Sequence, residues 1–188
     1  NVKSFPPKAD PPRAEKLKIT EGIEIFTTRP DTLFGATYLV LAPEHELISQ
    51  WKDGINNLRE VQEYRKKTSL MAEFDRITEG KEKTGVELKG ITAINPATDE
   101  EIPIWISDYV LGDMGTGAIM AVPAHDQRDY EFAVKFNLPI KMVVCPHYPA
   151  PICPVLDRAY TGKGHLVDSG QFVGMPSEEA KWLITKAV

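Results

Sequence analysis

Short apolar runs, each long enough for one buried strand, recur along this 188-residue chain and restrict the folds open to it. Helical periodicity falls between some of these runs but does not alternate regularly with them, so a doubly wound sheet of βαβ units is the less favoured architecture. We therefore predict an α+β fold with peripheral helices around a distorted closed, antiparallel β-barrel core or a strongly bent sheet. The expected strands are EGIEIFTT (21–28), GATYLVLA (35–42), GVELKGITAIN (85–95), EIPIWISDYV (101–110), AIMAVP (118–123) and IKMVV (140–144). The third and fourth of these flank the turn-rich PATDEE and are predicted to form a hairpin.

The chain divides into an arm and one domain. Residues 1–18 contain four prolines and no periodic apolar face, which predicts a linker or extended arm, and residues 19–188 have the length of a single domain. The final segment, PSEEAKWLITKAV, has a helical apolar stripe that stops without a C-cap glycine. We therefore expect the chain to be a piece of a longer protein.

Composition narrows the function classes. Apolar residues make up 42% of the chain and charged residues 26%, as in an ordinary globular protein, and no run reaches the roughly 20 apolar residues of a membrane span. The net charge of −5 argues against general nucleic-acid binding but is compatible with a small basic patch on the surface. Two cysteines are too few for a disulfide framework and favour a reducing compartment, so we expect the cytoplasm, with an organelle as the alternative.

The most informative segment joins a predicted strand to a predicted helix. Pro123 ends the strand AIMAVP, and the polar residues from His125 to Asp129 open the helix DQRDYEFAVKF. Asp126 and Asp129 are three residues apart and share a helix face. They either cap the helix and complement its dipole, or hold an ionised carboxylate against a ligand ammonium.

Two other side chains of this segment have open interpretations. Arg128 either binds a phosphate or is a solvated surface arginine. His125 either titrates near neutrality at a functional site or has a structural role.

A second cluster, TTRPDT (27–32), lies between two predicted strands. Pro30 and Asp31 favour a turn, and threonine hydroxyls often cap such turns. Alternatively, three threonines and Arg29 place short donors and acceptors along one wall. Such a wall suits holding a carbonyl, a water or a ribose hydroxyl better than nucleophilic attack.

A metal site is not favoured. Cys145, His147 and Cys153 lie close in the sequence, but their spacing is not that of a standard zinc site and a fourth ligand is not evident. We expect no metal and no cofactor.

Three segments resemble the editing domain of bacterial-type leucyl-tRNA synthetases, the insertion called connective peptide 1. They are TTRPDTLFGATYLVLAPEH, KTGVELKGITAINPATDEEIPIWISDYVL and GTGAIMAVPAHDQRDYEFAVKFNLPI, and the likeness covers residues 20–188. Sister domains for isoleucine and valine typically carry tryptophan in place of Asp31 and His-Gly-x-Asp-Asp in place of His-Asp-Gln-Arg-Asp. The ATP-site signatures His-Ile-Gly-His and Lys-Met-Ser-Lys-Ser do not occur, so we expect the aminoacylation domain to be missing.

The resemblance implies roles for residues of an amino-acid pocket. Asp129 would bind the α-ammonium of the amino acid, and Thr32 would stand against a leucine side chain and protect leucyl-tRNA. Thr27 and Thr28 would line the scissile ester. The remaining substrate-binding positions are Met120, Val122, Asp126 and Met114, the last of which is tyrosine in many relatives.

The resemblance also implies a tRNA-binding side. Arg29 and Arg128 match positions that help to hold the acceptor end, and His125 lies beside the terminal adenosine. The catalytic set is then Thr27, Thr28, Asp129 and His125. No residue has to act as base, because the free ribose hydroxyl of the terminal adenosine is implied to assist, with His125 as the minor candidate.

The implied activity is post-transfer editing. The domain would hydrolyse the ester of tRNA(Leu) mischarged with norvaline, isoleucine or similar amino acids and spare leucyl-tRNA(Leu). Its partners would be the 3′ acceptor end of tRNA(Leu) and the rest of the parent synthetase. We expect a monomer that does not associate with a membrane. The alternative is a binding module that recognises aminoacyl-adenosine or the acceptor end without turnover.

Overall fold

The described part of the chain comprises residues 22–72, 76, 82–149 and 157–187 of a computed structural model. The predicted arm, residues 1–18, lies outside these ranges. The domain boundary at residue 18 therefore stays a prediction.

Four strands form the main sheet in the order β2–β3–β1–β4. β2 and β3 pair as the predicted antiparallel hairpin, and β4 is antiparallel to β1. β1 and β3 are parallel, so the expectation of antiparallel pairing is wrong at this pair. A parallel neighbour needs a long crossover, and helices and a strand lie between these two strands in the chain. The strands are β1 (Tyr38–Leu41), β2 (Gly85–Ile94), β3 (Glu101–Ser107) and β4 (Ala118–Ala121).

A second, smaller sheet pairs β5 (Val144–Cys145) with β6 (His165–Leu166). The mixed α+β class predicted from the sequence is confirmed. Ladders among the described residues form two separate sheets, and closure of the strands into a barrel stays a prediction.

The segment EGIEIFTT does not form the predicted strand over its described residues, 22–28. Its alternation is nevertheless real, since Ile23 and Ile25 pack against the main core while Phe26 is 69% exposed. Alternating burial without a neighbouring strand gives an extended segment and no ladder.

Four α-helices and three 3₁₀ helices have both of their ends in the described ranges. α3 matches the predicted helix DQRDYEFAVKF, and Asn137 ends it in the left-handed conformation with a φ of 54°. No helix within the described residues combines the length and apolarity that crossing a membrane requires. The α-helices are α1 (Leu47–Gln50), α2 (Leu58–Thr68), α3 (Gln127–Phe136) and α4 (Ser177–Ala187), and the 3₁₀ helices are Pro30–Gly35, Lys52–Gly54 and Gly170–Phe172.

α3 is anchored to the main sheet by Phe132. This side chain is fully buried, and its ring centroid lies 5.5 Å from that of Tyr38 and 5.4 Å from that of Trp105. Because a short link joins β4 to α3, this packing also fixes the first turn of α3 beside the end of β4.

Candidate active site

A cavity of about 730 Å³ opens between three parts of the chain. These are the segment that leads into the first 3₁₀ helix, the stretch from β3 to β4, and the first turn of α3. All eleven residues that the sequence assigned to a site line this cavity. They are Thr27, Thr28, Arg29, Thr32, Met114, Met120, Val122, His125, Asp126, Arg128 and Asp129.

Asp129 is a buried carboxylate in the cavity wall, with only 4% of its surface exposed. Its Oδ2 accepts the backbone N–H of Val122 at 2.9 Å, and its Oδ1 accepts the hydroxyl of Tyr109 at 3.0 Å. Both donors are neutral. The carboxylate is thus hydrogen-bonded without its charge being matched by a bonded cation.

The surroundings of Asp129 oppose its ionisation. Burial raises the pKa of Asp129 to about 7, and the charge of Asp126 adds to the rise. The N–H of Val122, the hydroxyl of Tyr109 and the charge of Arg128 act in the opposite direction but do not outweigh burial. A ligand ammonium placed here would favour the ionised form and would itself gain a charged partner.

Asp126 caps α3. Its Oδ1 accepts the backbone N–H groups of Arg128 at 2.9 Å and Asp129 at 3.3 Å, which confirms the capping interpretation. Its Oδ2 lies 3.5 Å from Nη2 of Arg128, whose side chain is 63% exposed. Arg128 therefore presents a cation at the cavity rim, and direct substrate binding by Asp126 stays a prediction.

Both ring nitrogens of His125 are used inside the protein. Nε2 accepts the backbone N–H groups of Val143 at 3.0 Å and Val144 at 3.1 Å, so the ring proton is on Nδ1, which donates to the carbonyl of Tyr160 at 2.8 Å. Burial lowers the pKa of His125 to about 4. This geometry argues against the base candidate and favours the structural interpretation, because no nitrogen is left to take a proton from water.

A bidentate ion pair holds the threonine-rich segment. Nε of Arg29 donates to Oδ1 of Asp31 at 3.0 Å and Nη2 donates to Oδ2 at 2.9 Å, with Asp31 fully buried. Nη1 of Arg29 donates to the carbonyl of Thr161 at 3.3 Å. The guanidinium predicted to bind tRNA thus already has protein partners on all three nitrogens.

The threonines differ in what they offer to a ligand. Oγ1 of Thr32 donates to the carbonyl of Arg29 at 2.9 Å, and the residue is 2% exposed. Since its hydroxyl hydrogen is used, the methyl group is the part of Thr32 left to meet an apolar ligand. Thr27 and Thr28 are exposed, and Oγ1 of Thr27 accepts the N–H of Arg29 at 3.0 Å.

Nine cavity residues were not identified from the sequence. Most come from the stretch between β3 and β4. The clearest sign of a site there in the sequence is Asp108 and Tyr109, which directly follow a buried strand. Phe26 and Met114 are 69% and 67% exposed, which places two apolar side chains at the rim. The nine are Phe26, Tyr109, Val110, Leu111, Asp113, Gly115, Thr116, Ala118 and Ile119.

Glu44 and Arg76 hold the start of this wall. Arg76 donates through Nε to the carbonyl of Asp108 at 3.0 Å and through Nη2 to that of Val110 at 2.8 Å, and its Nη1 lies 3.1 Å from Oε1 of Glu44. The same oxygen of Glu44 accepts the N–H of Gly112 at 2.9 Å. Partial burial acts to raise the pKa of Glu44, but these hydrogen bonds outweigh it and the pKa is lowered.

Cys145 is disulfide-bonded, whereas sequence reasoning favoured reduced cysteines. It therefore presents no free thiolate to the metal site considered above. Among the described residues no three His, Cys, Asp or Glu side chains are grouped to hold a metal ion.

The fold and the cavity together define a class, the aminoacyl-tRNA editing domains. The family model "Leucyl-tRNA synthetase, editing domain" matches residues 14–188, and the chain belongs to this family. The family carries the deacylase (editing) activity of leucine–tRNA ligases. The resemblance drawn from the sequence is thereby confirmed.

Curated relatives are leucine–tRNA ligases. That of Synechococcus sp. strain JA-3-3Ab is 51% identical over 162 residues, which are 86% of this chain and 18% of the relative. That of Rubrobacter xylanophilus is 48% identical over 164 residues, with 87% and 20% covered. The chain thus spans about a fifth of the length of these relatives.

A solved structure with the same fold is the ternary LeuRS-tRNA-LeuAMS complex of Agrobacterium radiobacter K84 agnB2. The TM-score is 0.55 at 32% sequence identity, and the match covers 71% of this chain and 15% of the other.

Proposed function

We propose that this chain hydrolyses the ester bond of tRNA(Leu) that carries a wrong amino acid, such as norvaline or isoleucine, and spares leucyl-tRNA(Leu). The observation that carries the proposal is the buried carboxylate of Asp129, which is held by two neutral donors at the cavity wall. An aminoacyl ester brings the missing cation, its α-ammonium. Once bound, that ammonium fixes where the ester lies relative to the threonines.

Selectivity against leucine is assigned to Thr32. A synthetic pocket discriminates similar side chains by only about 1–3 kcal/mol per methylene, so a second sieve is needed to remove errors. The methyl group of Thr32 is held by a backbone hydrogen bond at 2.9 Å in a buried position. Packed walls of this kind yield poorly, so a branched leucine methyl would overlap with it.

Hydrolysis of this ester requires mainly that the protein orient the reacting groups. An aminoacyl ester is already activated by its protonated amine, and orientation of the ester and one water supplies much of the remaining rate enhancement. Thr27 and Thr28 are exposed in the cavity and suited to hold the ester carbonyl or the water. With His125 fully hydrogen-bonded, the free ribose hydroxyl of the terminal adenosine is the better candidate to assist the water.

The acceptor end of tRNA(Leu) is the proposed partner at the rim. Arg128 is exposed and close to Asp129, which suits a phosphate contact. Arg29 would act on the tRNA mainly by fixing the threonine-rich segment, because its guanidinium is paired with Asp31. The rest of the parent synthetase would supply most phosphate contacts, and a cytoplasmic monomer remains the expected context.

Deacylation assays test the proposal. The purified chain is incubated with isoleucyl-, norvalyl- and leucyl-tRNA(Leu), and ester loss is compared with that in buffer alone. We expect the first two esters to be lost faster than in buffer and leucyl-tRNA(Leu) to persist. Binding of a non-hydrolysable aminoacyl-adenosine without any ester loss would favour the binding-module alternative and overturn the proposed hydrolysis.

A further inference from the structure

Tyr109 contacts the carboxylate on which the proposed function depends, and no sequence motif assigned a role to it. The residue is 6% exposed, and its hydroxyl donates to Oδ1 of Asp129 at 3.0 Å. We propose that Tyr109 is a positioning residue of this site, whose hydroxyl orients the Asp129 carboxylate and favours its ionised form for a ligand ammonium. This inference rests on the proposed function.

The orientation argument follows from how the two oxygens of Asp129 are held. Oδ2 accepts the backbone N–H of Val122 at 2.9 Å, and Oδ1 has the hydroxyl of Tyr109. The last torsion of an aspartate is broad, so a single donor leaves the carboxylate plane loosely defined. Donors on both oxygens fix that plane. Without Tyr109, only the oxygen held by Val122 would remain fixed.

The ring of Tyr109 is itself immobilised. Its centroid lies 5.6 Å from that of Phe132, and Nζ of Lys83 lies over the ring, 5.7 Å from the same centroid. The carbonyls on either side, of Asp108 and Val110, both accept from Arg76. The hydroxyl is therefore aimed at Asp129 by packed neighbours and by a held backbone.

Tyr109 affects the ionisation of Asp129 differently from the other groups around that carboxylate. From α3, the charge of Asp126 disfavours the ionised carboxylate and that of Arg128 favours it. From β1, the hydroxyl of Tyr38 donates to the backbone carbonyl of Asp129 at 2.8 Å and is also a side-chain hydrogen-bond partner of Tyr109. From the stretch after β3, Tyr109 donates to the carboxylate as a neutral group, so it stabilises the anion without competing with a ligand cation.

The chain provides a matched pair of variants. Tyr109→Phe removes the hydroxyl on the carboxylate, whereas Tyr160→Phe removes a hydroxyl that donates to the backbone carbonyl of Lys163 and does not line the cavity. Each variant lacks one oxygen atom, and thermal melting establishes that both fold. Hydrolysis of isoleucyl-tRNA(Leu) is measured across pH, and spontaneous ester loss is subtracted. Each rate is then divided by that of the unsubstituted chain, the parent, at the same pH. The ratio removes the hydroxide dependence of ester hydrolysis.

For Tyr109→Phe we expect the ratio to fall about tenfold at about pH 6 and to recover to within about threefold of unity at about pH 8.5. For Tyr160→Phe we expect one ratio at every pH. The carboxyl titration of Asp129, followed by carbon-13 NMR on the unliganded chain, should move upward by about one pH unit in Tyr109→Phe only.

An unmoved titration of Asp129 in folded Tyr109→Phe, or a ratio lowered equally at all pH values, would overturn the inference. If the parent leaves isoleucyl-tRNA(Leu) intact, the proposed function fails. The NMR titration still decides in that case whether Tyr109 holds the carboxylate, so the two failures are distinguishable.

Discussion

Asp129 combines two opposing influences at one residue. It lies in the first turn of α3, where the helix dipole favours a carboxylate, yet burial raises its pKa to about 7. Burial therefore outweighs the helix terminus and both hydrogen-bond donors. A group in this state changes its protonation when a cation binds, which suits an anchor for an ammonium.

Asp129→Asn should abolish hydrolysis without unfolding the domain. Asparagine keeps the shape and still accepts the N–H of Val122, but it lacks the charge that holds the ammonium, an interaction of about 1.5–3 kcal/mol. The lost orientation of the ester should lower the rate further than the binding. Deacylation of isoleucyl-tRNA(Leu) and thermal melting check both parts, and near-parental hydrolysis by the folded variant would contradict the anchor role.

The difference in stability between this variant and the parent depends on pH. The native pKa of Asp129 lies above the ordinary value of 3.8, so the native state binds this proton more readily than the unfolded state between about pH 4 and pH 7. The parent loses stability as pH rises through that window, by up to about 1.4 kcal/mol per pH unit, and asparagine does not. The melting temperature of Asp129→Asn relative to the parent should therefore be higher at about pH 8 than at about pH 5.

His125→Ala should cost stability more than catalysis. It removes the acceptor for the N–H groups of Val143 and Val144, at about 1–3 kcal/mol for each donor left unpaired. The native pKa of about 4 lies below the ordinary 6.5, so the stability given by neutral His125 is present above about pH 6.5 and is lost towards pH 4. The melting difference between parent and variant should therefore shrink on acidification.

The exposed His147 provides the control for this prediction, since His147→Ala should leave the melting temperature unchanged. Hydrolysis per folded molecule is measured for both variants. A large rate loss in His125→Ala with an unchanged melting temperature would restore the base candidate.

At the scale of elements, the 3₁₀ helix Pro30–Gly35 and the β4–α3 junction do most to build the cavity. The 3₁₀ helix buries the adjacent residues Asp31 and Thr32, and the ion pair between Asp31 and Arg29 holds its first turn. The junction returns the chain so that the first turn of α3 meets the end of β4, as the bond from Val122 to Asp129 shows. Both elements are short, so each has few alternative ways to place its side chains.

Thr32→Ser and Thr32→Val separate the two parts of this side chain. Serine keeps the hydroxyl that donates to Arg29 but lacks the methyl, so it should admit leucine and hydrolyse leucyl-tRNA(Leu) faster than the parent. Valine keeps a branched shape and loses the hydrogen bond, at about 0.5–1.5 kcal/mol, yet it should still spare leucyl-tRNA(Leu). Hydrolysis of leucyl- and isoleucyl-tRNA(Leu) by each variant checks this, and a serine variant that spares leucyl-tRNA(Leu) would place the sieve elsewhere.

At the scale of the whole molecule, charge limits how the chain meets tRNA. A net charge of −5 gives no general attraction to a polyanion, so local cations at the cavity rim matter most. Arg128→Ala should weaken tRNA binding and lower the slope of log affinity against log salt by about one. A small aminoacyl-adenosine analogue, which lacks the distal phosphates, should bind almost as before.

Arg59 serves as the control for Arg128. Its side chain is 92% exposed and it is not among the cavity residues, so Arg59→Ala should leave the salt slope unchanged. Equal losses of tRNA and analogue binding in Arg128→Ala would assign Arg128 to the amino-acid pocket instead.

Features that depend on neighbours along the chain were predictable from the amino-acid sequence. The β2–β3 hairpin, the strand at AIMAVP and the capped start of α3 follow from local apolar spacing and from the residues that end or begin an element. Such features are predictable because their partners lie within a few residues. The eleven site residues were instead assigned from the family resemblance, and all of them line one cavity.

Contacts between residues that are distant in the chain depend on tertiary packing. β1 pairs with β3 in parallel, whereas the sequence predicted only the hairpin between β2 and β3. EGIEIFTT alternates without a strand partner in the described ranges. Tyr109 reaches Asp129 from 20 residues away, and His125 finds the carbonyl of Tyr160 from 35. Periodicity records how deeply a residue is buried, whereas the choice of partner and the resulting pKa depend on long-range packing that local spacing does not encode.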